Sequence, residues 1–287
     1  MKIVIQRIAI VLFLLASTFH TEKRIDARSF TDGVRQVLRV VQLCDTQLGG
    51  FVSIEISAAI FEKAVQQINV LAPDMVLIAG DMVDNVHSDE EIATFNRIVA
   101  QIKIPVLLTP GNHDLPEPVT VANLQRYRFY FGDDFQVVEC KGYCIISVNS
   151  PLWRGIPPKE ISRHDSLLHR HDSLLYDALQ KAKRKEQPVV ILSHVPPFIS
   201  FVDEDDEYYN LPKAKRKDIL RLFEENGVIC WLSGHTHKTS QRNYGQITVL
   251  NGESTCANFD GRPRGFRLLT VYPDQSFDWN FISCEPD

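Results

Sequence analysis

The chain has 287 residues, of which 44% are hydrophobic and 23% are charged, as in ordinary soluble globular proteins. This length allows one large domain with a substantial core, or two small domains. The formal net charge of −5 gives no reason to expect nucleic-acid binding, and the basic clusters at residues 181–185 and 213–217 have the pattern of solvated helix faces.

Residues 1–20 have the layout of a secretory signal peptide. Lys2 and Arg7 precede an apolar run at residues 8–16, and small residues follow it. The run is shorter than the roughly 20 apolar residues that a membrane span needs, although an uncleaved N-terminal anchor is an open alternative. We therefore expect a secreted or periplasmic protein, with membrane anchoring as the alternative, a lead-in at residues 21–36 and one folded domain at residues 37–285.

Apolar runs and amphipathic segments alternate through the first half of this domain. Buried strands are predicted at residues 37–43, 74–79 and 106–109, and helices at residues 57–71 and 90–101. A loop is predicted at residues 111–118. The segment at residues 135–150 then predicts two strands joined by Lys141 and Gly142.

The second half contains further strands and one more helix of this kind. Strands are predicted at residues 189–193 and Val228–Ser233, a helix at residues 214–226, and a C-terminal meander of strands at Ile247–Asn251, Gly265–Val271 and residues 277–282. Because α/β units and antiparallel strands both occur and no Pro/Gly-rich linker divides them, we predict one α/β (α+β) domain with a mixed two-sheet core.

The sequence HDSLL occurs at residues 164–168 and again at residues 171–175. The seven-residue offset is about two helical turns, so a local duplication within one surface helix is predicted. A metal-binding role for the repeated histidines is the less favoured alternative.

Six cysteines occur in the chain, and an even number in an exported protein permits disulfides. Cys140 and Cys144 are the best local candidates, because the three residues between them could turn a hairpin and set the two thiols opposite each other. Cys44 and Cys230 lie in apolar strand-like runs, which favours buried free thiols.

Five short segments rich in metal-binding side chains each follow an apolar run. They are CDTQ at residues 44–47, GDMVD at 80–84, GNHD at 111–114, SH at 193–194 and GHTH at 234–237. Aspartate, histidine and asparagine suit divalent ions such as Mn, Fe, Zn or Mg, and the absence of cysteine ligands argues against a structural zinc site. The ligands are too many for one tetrahedral ion. Two ions could clamp a phosphoryl group and activate a bridging water, so two divalent metal ions and a phosphoester substrate are predicted.

With these five motifs, the chain resembles the calcineurin-like metallophosphoesterases over roughly residues 39–283. The resemblance implies a four-layer β-sandwich of two mixed sheets flanked by helices. It also implies one metal ion held by Asp45, Asp81 and His237, and a second held by Asp81, Asn112, His194 and His235.

The resemblance further implies two catalytic residues. His113 is expected to contact the phosphate and to protonate the leaving oxygen, and Asp84 to orient the His113 ring. Asn112 is expected to help stabilise charge on the phosphoryl oxygens.

Gln47, an expected ligand of the first metal ion, departs from the family pattern, which has histidine at this position. An amide oxygen is a harder, neutral and weaker ligand than imidazole, so the first metal ion should bind less tightly, or be Mn or Mg in preference to Fe. A branch of the family that includes an animal Ser/Thr-protein phosphatase also carries glutamine here. The segments at residues 203–220 and 261–271 are similar to the same branch.

We therefore expect a metal-dependent phosphoric ester hydrolase with a dinuclear metal centre and a bridging hydroxide. A phosphomonoesterase that acts on phosphoproteins or small phosphoesters is the preferred interpretation. The alternatives are a phosphodiesterase of cyclic nucleotides or other diesters, and a non-catalytic metal-binding relative. The sequence leaves the oligomeric state open.

Several residues outside the motifs are weaker candidates for substrate contact. Arg264, with Arg262 and Arg267, could hold a distal phosphate or carboxylate. The acidic residues 203–207 either overhang the site or form a solvated loop, and Trp153 and Arg154 are candidates for a substrate wall.

Overall fold

In the computed structural model of the protein, residues 35–154 and 161–285 are described, with side chains from residue 165 in the second segment. The predicted signal peptide and almost all of the predicted lead-in lie outside the described residues. None of the helices in the described ranges combines the length and the apolar character that crossing a bilayer requires.

The described residues form eleven strands and five α-helices. The strands are β1 (Leu38–Leu43), β2 (Met75–Ile78), β3 (Val106–Leu108), β4 (Gln136–Cys140), β5 (Tyr143–Ser147), β6 (Val189–Leu192), β7 (Val228–Ser233), β8 (Ser240–Tyr244), β9 (Ile247–Asn251), β10 (Gly265–Val271) and β11 (Phe277–Ser283). The helices are α1 (Ile54–Leu71), α2 (Asp89–Val99), α3 (Val121–Phe131), α4 (Ile161–Arg184) and α5 (Lys213–Glu225), and a 3-10 turn spans Ser150–Trp153.

The strands form two mixed sheets. The first sheet has the order β11-β10-β1-β2-β3, in which β1, β2 and β3 are parallel and β10 and β11 are antiparallel additions. The second has the order β4-β5-β6-β7-β9-β8, in which β5, β6, β7 and β9 are parallel. Helices α1, α2 and α3 pack on the first sheet, and α4 and α5 on the second, so the predicted sandwich of two mixed sheets flanked by helices is confirmed.

Two elements were not predicted, α3 and β8. Helix α3 begins at a capping box in which Thr120 and Asn123 exchange side-chain and backbone hydrogen bonds. Its buried face consists of Leu124, Tyr127 and Phe131 only, and the aromatic and arginine residues between them weaken the helical pattern. Strand β8 is polar because it is an edge strand of the second sheet, and exposed edges favour polar residues.

The predicted C-terminal meander is wrong for its first strand. Strand β9 pairs with β7 and β8 in the second sheet, whereas β10 and β11 pair in the first. The segment at residues 252–264 carries the chain from one sheet to the other. Alternation of apolar residues identifies a strand but does not say which sheet it joins.

The candidate disulfide between Cys140 and Cys144 is not formed. A two-residue turn connects β4 to β5, with φ of 51° at Lys141 and 85° at Gly142, as in the favoured hairpin turns. This register places Cys140 opposite Tyr143 and Cys144 opposite Glu139, so the two thiols point to opposite faces. All six cysteines are free and buried, which confirms the prediction for Cys44 and Cys230.

Both copies of HDSLL lie in α4, as predicted, but His171 is not a surface residue. It is 3% exposed, and its Nε2 accepts a hydrogen bond from the Asn149 amide at 3.0 Å. The basic cluster on α5 differs from expectation in a similar way, because Arg216 is fully buried and binds the carbonyl of Glu204. Single inward-facing residues of an amphipathic helix explain both corrections.

Candidate metal centre

The five motifs follow the carboxyl ends of five strands, β1, β2, β3, β6 and β7. Backbone hydrogen bonds tie the loops together: the Asp45 amide donates to Gly80 O at 3.2 Å, the Gln47 amide to Asp81 O at 2.8 Å, and the Gly234 amide to His194 O at 2.9 Å. The first two bonds join loops of one sheet, and the third joins loops of the other. The predicted ligands are therefore brought together from both sheets.

Three of them converge on one nitrogen of a fourth. His194 Nδ1 donates to Ala79 O at 2.8 Å, which leaves Nε2 as the ring nitrogen that faces the other predicted ligands. This Nε2 lies 3.1 Å from Asn112 Oδ1, 3.1 Å from His235 Nδ1 and 3.2 Å from Asp81 Oδ2. These residues are the set predicted for the second metal ion, and ligand atoms of Asp81, His194 and His235 all lie within 4.8 Å of one another.

Asp45 and His237 form the neighbouring part of the site. The fully buried Asp45 accepts from the His235 amide at 3.0 Å, and its Oδ1 lies 3.5 Å from His237 Nε2. His237 Nδ1 donates to Ala257 O at 2.6 Å, so its Nε2 is the nitrogen available to a ligand. The His237 ring also stacks on Phe259 with centroids 4.7 Å apart. This geometry brings together two of the residues predicted for the first metal ion.

The two ends of the Gln47 amide have different surroundings. Its Nε2 donates to Asp84 Oδ1 at 3.0 Å and lies 3.3 Å from His113 Nε2. The reversed amide would place an oxygen against the Asp84 carboxylate, so this orientation is required. Its Oε1 is buried without a hydrogen-bond partner among the described residues. A buried acceptor without a donor is costly, and a cation would satisfy it, so Gln47 fits a metal centre.

His113 and Asp84 are also in contact. His113 Nδ1 donates to the Asp84 backbone oxygen at 2.7 Å and lies 3.3 Å from its carboxylate. Burial alone would lower the pKa of His113, but the charge of Asp81 and the hydrogen bond to Asp84 raise it above the ordinary value. These interactions therefore favour the protonated ring.

Buried charges in the site shift one another's pKa values. Burial would lower the pKa of His194, but the carboxylates of Asp81 and Asp45 raise it to about 9. Burial and the neighbouring His194 lower the pKa of His235 to about 3. Burial raises the pKa of Asp45. Two buried carboxylates thus draw positive charge into the site, and with imidazole and amide donors beside them the donor set fits divalent cations.

Glycines in the motifs allow close approach of the ligand loops. A Cβ on Gly111 would lie 2.1 Å from Asp81 Oδ1, and a Cβ on Gly234 would lie 2.6 Å from Asp45 Oδ2. Neither glycine has a positive φ. Within the motifs, positive φ occurs at Gly80 and at five predicted ligands: Asp45, Gln47, Asp81, His235 and His237. The sharp turns are therefore made mainly by the ligands.

Asp114 is a site residue that the sequence reasoning did not assign. Its carboxylate accepts from the amides of Met82 at 2.8 Å and Gly111 at 2.9 Å, so it fixes the GDMVD loop to the GNHD loop. Burial and the Asp81 charge raise the pKa of Asp114 to about 7. Its place as the last residue of GNHD was the available signal.

Tyr208 is a second site residue that was not assigned. Its hydroxyl accepts from Asn112 Nδ2 at 3.2 Å, and its carbonyl lies 3.0 Å from His235 Nε2. The acidic residues before it do not make these contacts. Glu204 instead accepts from the amides of Ile199 and Ser200, which holds the loop in shape. The overhanging residue is therefore a tyrosine that follows the acidic run.

Of the other candidates, Arg154 reaches the site and Trp153 does not. Arg154 Nη1 lies 3.1 Å from His235 Nε2, whereas Trp153 is buried against Trp231. Arg264 forms a two-point ion pair with Glu285 at 2.7 and 2.9 Å, which favours a structural role, and its substrate contact stays a prediction.

Arg267 is a different case from Arg264. It is fully buried and bound to Glu253 at 3.1 Å, which excludes it from substrate contact. Arg262 is half-exposed and lies beside Asp260 at 3.6 Å.

Comparison with known proteins gives a consistent result. A model of the calcineurin-like phosphoesterase family matches residues 38–239. The serine/threonine-protein phosphatase CPPED1 of Bos taurus is 30% identical over 222 residues, which cover 73% of this chain and 68% of that protein. A probable cyclic nucleotide phosphodiesterase of Synechococcus is 27% identical over 257 residues, which cover 87% of this chain and 91% of that protein.

A solved structure with the same fold is that of a dimetal phosphatase from Danio rerio. It superposes with a TM-score of 0.66 at 14% identity, over 86% of this chain and 96% of that one. At this identity the likeness concerns the fold alone.

Proposed function

Because this chain belongs to the calcineurin-like phosphoesterase family, we propose that it is a phosphomonoesterase that uses two divalent metal ions to hydrolyse phosphoproteins or small phosphoesters. Membership makes the protein a metallophosphoesterase, a hydrolase of phosphoric ester bonds. The observation that carries the proposal is the convergence of Asp81, Asn112 and His235 on His194 Nε2.

We assign the residues to two metal positions. One ion would be held by Asp45, Gln47, Asp81 and His237, and the other by Asp81, Asn112, His194 and His235. When bound, the ions would supply Lewis-acid charge that polarises the phosphoryl group and lowers the pKa of water. Mn, Fe, Zn and Mg all suit these donors.

The remaining chemistry belongs to the protein. His113 Nδ1 donates to the Asp84 carbonyl at 2.7 Å, which leaves Nε2 as the ring nitrogen that can give a proton to the leaving oxygen. The raised pKa of His113 favours the protonated form near neutral pH. Asn112 lies between Tyr208 and His194, where its amide can also contact a phosphoryl oxygen.

The test is turnover of para-nitrophenyl phosphate against bis-para-nitrophenyl phosphate, with Mn, Mg, Fe or Zn added to metal-stripped protein. We expect faster hydrolysis of the monoester. Preference for the diester would make the protein a phosphodiesterase, and no turnover of either ester with any metal would make it a non-catalytic relative.

Two variants test the assigned roles. Asp81→Asn should remove metal and nearly all activity. His113→Ala should keep the metal content but slow turnover roughly 100- to 10,000-fold, the usual contribution of a general acid. An unchanged turnover number in His113→Ala would contradict its role.

We also propose that residues 1–20 direct export, from the positive charges and apolar run at the N-terminus. Substrates outside the cytoplasm, whether phosphoproteins or small esters, then follow. N-terminal sequencing of the protein isolated from culture fluid or periplasm should find these residues removed, whereas an intact N-terminus in a membrane fraction would favour the anchor.

A further inference from the structure

Arg154 lies at the edge of the metal centre, although it belongs to none of the five motifs. Its side chain is 11% exposed, so its charge is largely withdrawn from water. Nη1 lies 3.1 Å from His235 Nε2, and the guanidinium covers the ring of Tyr208 at 4.7 Å from the centroid. The same tyrosine ring carries the hydroxyl bound to Asn112. Arg154 therefore faces the end of the site formed by Asn112 and His235.

The Arg154 guanidinium has N–H donors there that do not reach an acceptor among the described residues. His235 Nδ1 points at His194, so the His235 proton is on Nε2 and is donated to the Tyr208 carbonyl at 3.0 Å. The Nε2 atom then has no lone pair for Arg154. Among the described residues, the acidic partner of Arg154 is Glu117, whose carboxylate lies 3.2 Å from Nε. Within the described ranges, the two terminal nitrogens are left without an acceptor at the metal centre.

We propose that the terminal nitrogens of Arg154 bind the phosphoryl group of the substrate and make the site selective for phosphomonoesters over phosphodiesters. This inference deepens the proposed function and rests on it. A guanidinium presents paired N–H donors that match phosphate oxygens. A monoester offers three terminal oxygens and up to two negative charges, whereas a diester offers two oxygens and one charge. Arg154 therefore favours the monoester.

Glu117 acts as a positioning residue for this arginine. It pairs with Nε and leaves the opposite edge of the guanidinium directed at the site. Burial raises the pKa of Glu117 and the Arg154 charge opposes that rise. The face of the guanidinium rests on Tyr208. The arginine is thus held on one edge and one face, as a preorganised oxyanion contact requires.

The experiment compares wild type with Arg154→Gln and Arg154→Lys, each loaded with the metal that gives the highest turnover. The readouts are kcat/KM for the mono- and bis-para-nitrophenyl esters and the affinity for inorganic phosphate, measured by calorimetric titration. For Arg154→Gln we expect roughly 10- to 100-fold losses in monoester kcat/KM and in phosphate affinity, the usual range for a charged hydrogen bond. The diester kcat/KM should change by less than about threefold, and Arg154→Lys should recover part of the monoester loss.

Arg97→Gln is the control, because Arg97 on α2 forms an exposed ion pair with Glu62 on α1 at 2.7 Å, and neither residue belongs to the site. It should behave as wild type in every assay. Equal losses on both esters in Arg154→Gln, or unchanged phosphate affinity, would overturn the inference and leave Arg154 a structural residue.

A second variant covers the case in which Arg154→Gln does not fold. Glu117→Gln keeps Arg154 but removes its orienting charge, so a smaller loss confined to the monoester and to phosphate binding is expected. An equal loss on both esters would again count against the inference. If wild type hydrolyses neither ester, the proposed function fails. The phosphate titration still decides the role of Arg154, because a wild type that binds phosphate no better than Arg154→Gln contradicts it.

Discussion

Gln47 illustrates how one side chain can serve two groups in the metal centre. Its amide nitrogen holds Asp84, and through Asp84 the His113 ring, while its amide oxygen is buried with no donor in the part of the chain that the structure describes. The sequence predicted only the second of these roles, because a motif shows which atoms a residue can offer and not which neighbours it meets. The contact with Asp84 depends on two loops that are 37 residues apart in the chain.

Replacement of Gln47 by alanine should weaken metal binding at the first position. The loss should be roughly 10- to 100-fold in affinity, as for other residues that support metal sites, while the second position keeps its metal because none of its ligands changes. Gln47→His should bind the first metal more tightly than wild type. Calorimetric titration of the stripped protein with Mn measures both. Equal affinities in all three proteins would show that Gln47 does not contact metal.

Gly111→Ala tests the close approach of two loops. The added Cβ would lie 2.1 Å from Asp81 Oδ1 and 2.3 Å from its amide nitrogen, so Asp81 must move. A displacement of about 1 Å at a reacting centre can cost roughly 100-fold in rate, and we expect at least this loss in kcat/KM. Arg97→Gln is the control, since Arg97 lies in an exposed ion pair with Glu62. Wild-type activity in Gly111→Ala would contradict the geometry.

At the scale of elements, the sequence predicted the strands that lead into the site better than their surroundings. Apolar runs before each motif identified β1, β2, β3, β6 and β7, because buried parallel strands need such runs. The sheet that β9 joins and the register of the β4–β5 hairpin depend on pairing with distant strands and on turn conformation. Arg154 and Tyr208 lie in irregular segments, where no periodicity indicates which side chain points at the site.

Asp172 connects three elements beside the second sheet. Its carboxylate accepts from Trp153 Nε1 at 2.9 Å and from Lys215 on α5 at 2.6 Å, while Asp172 itself lies on α4. Partial burial would raise the pKa of Asp172, but hydrogen bonds from His171, Lys215 and Trp153 lower it to about 2. The ionised carboxylate thus joins two helices and the 3-10 turn.

Asp172→Asn should therefore destabilise the protein in a pH-dependent way. A folded-state pKa below the unfolded value adds stability above about pH 4, and this contribution is lost as the pH falls toward 2. Because the side chain is 35% exposed, we expect a decrease in the free energy of unfolding of about 1 kcal/mol at pH 7, after allowance for solvent screening. Urea unfolding at pH 7 and pH 3 measures it. A difference that grows on acidification would contradict this role.

At the scale of the whole molecule, the metal centre is shared by the two sheets. The loops after β1, β2 and β3 carry Asp45, Asp81 and Asn112. The loops after β6 and β7 carry the three histidines assigned as metal ligands. The His235 amide bonds to Asp45 at 3.0 Å, and His194 Nδ1 bonds to Ala79 O at 2.8 Å. Each position therefore depends on both halves of the sandwich being in place.

Metal binding should consequently stabilise the entire fold. A ligand that binds only the folded state at 100 times its Kd adds about 2.7 kcal/mol to the free energy of unfolding, which corresponds to roughly 5–10 °C in Tm for a domain of this size. Calorimetric scans with Mn and with a chelator test this expectation. Asp81→Asn should show no such shift, and an equal shift in that variant would place the metal elsewhere.

The left-handed backbone of the ligands bears on how this protein could evolve. Asp45, Gln47, Asp81, His235 and His237 all have φ between 33° and 71°, a conformation that glycine adopts at little cost and most other residues do not. Selection for heat resistance of the metal-free protein would favour glycine at these five codons, because each change relaxes the chain. Every such change also removes a side chain from the metal centre, and with it stability that bound metal adds. Laboratory lineages screened for thermal tolerance with metal withheld should therefore lose catalysis first at these codons, so activity has to be part of any such screen.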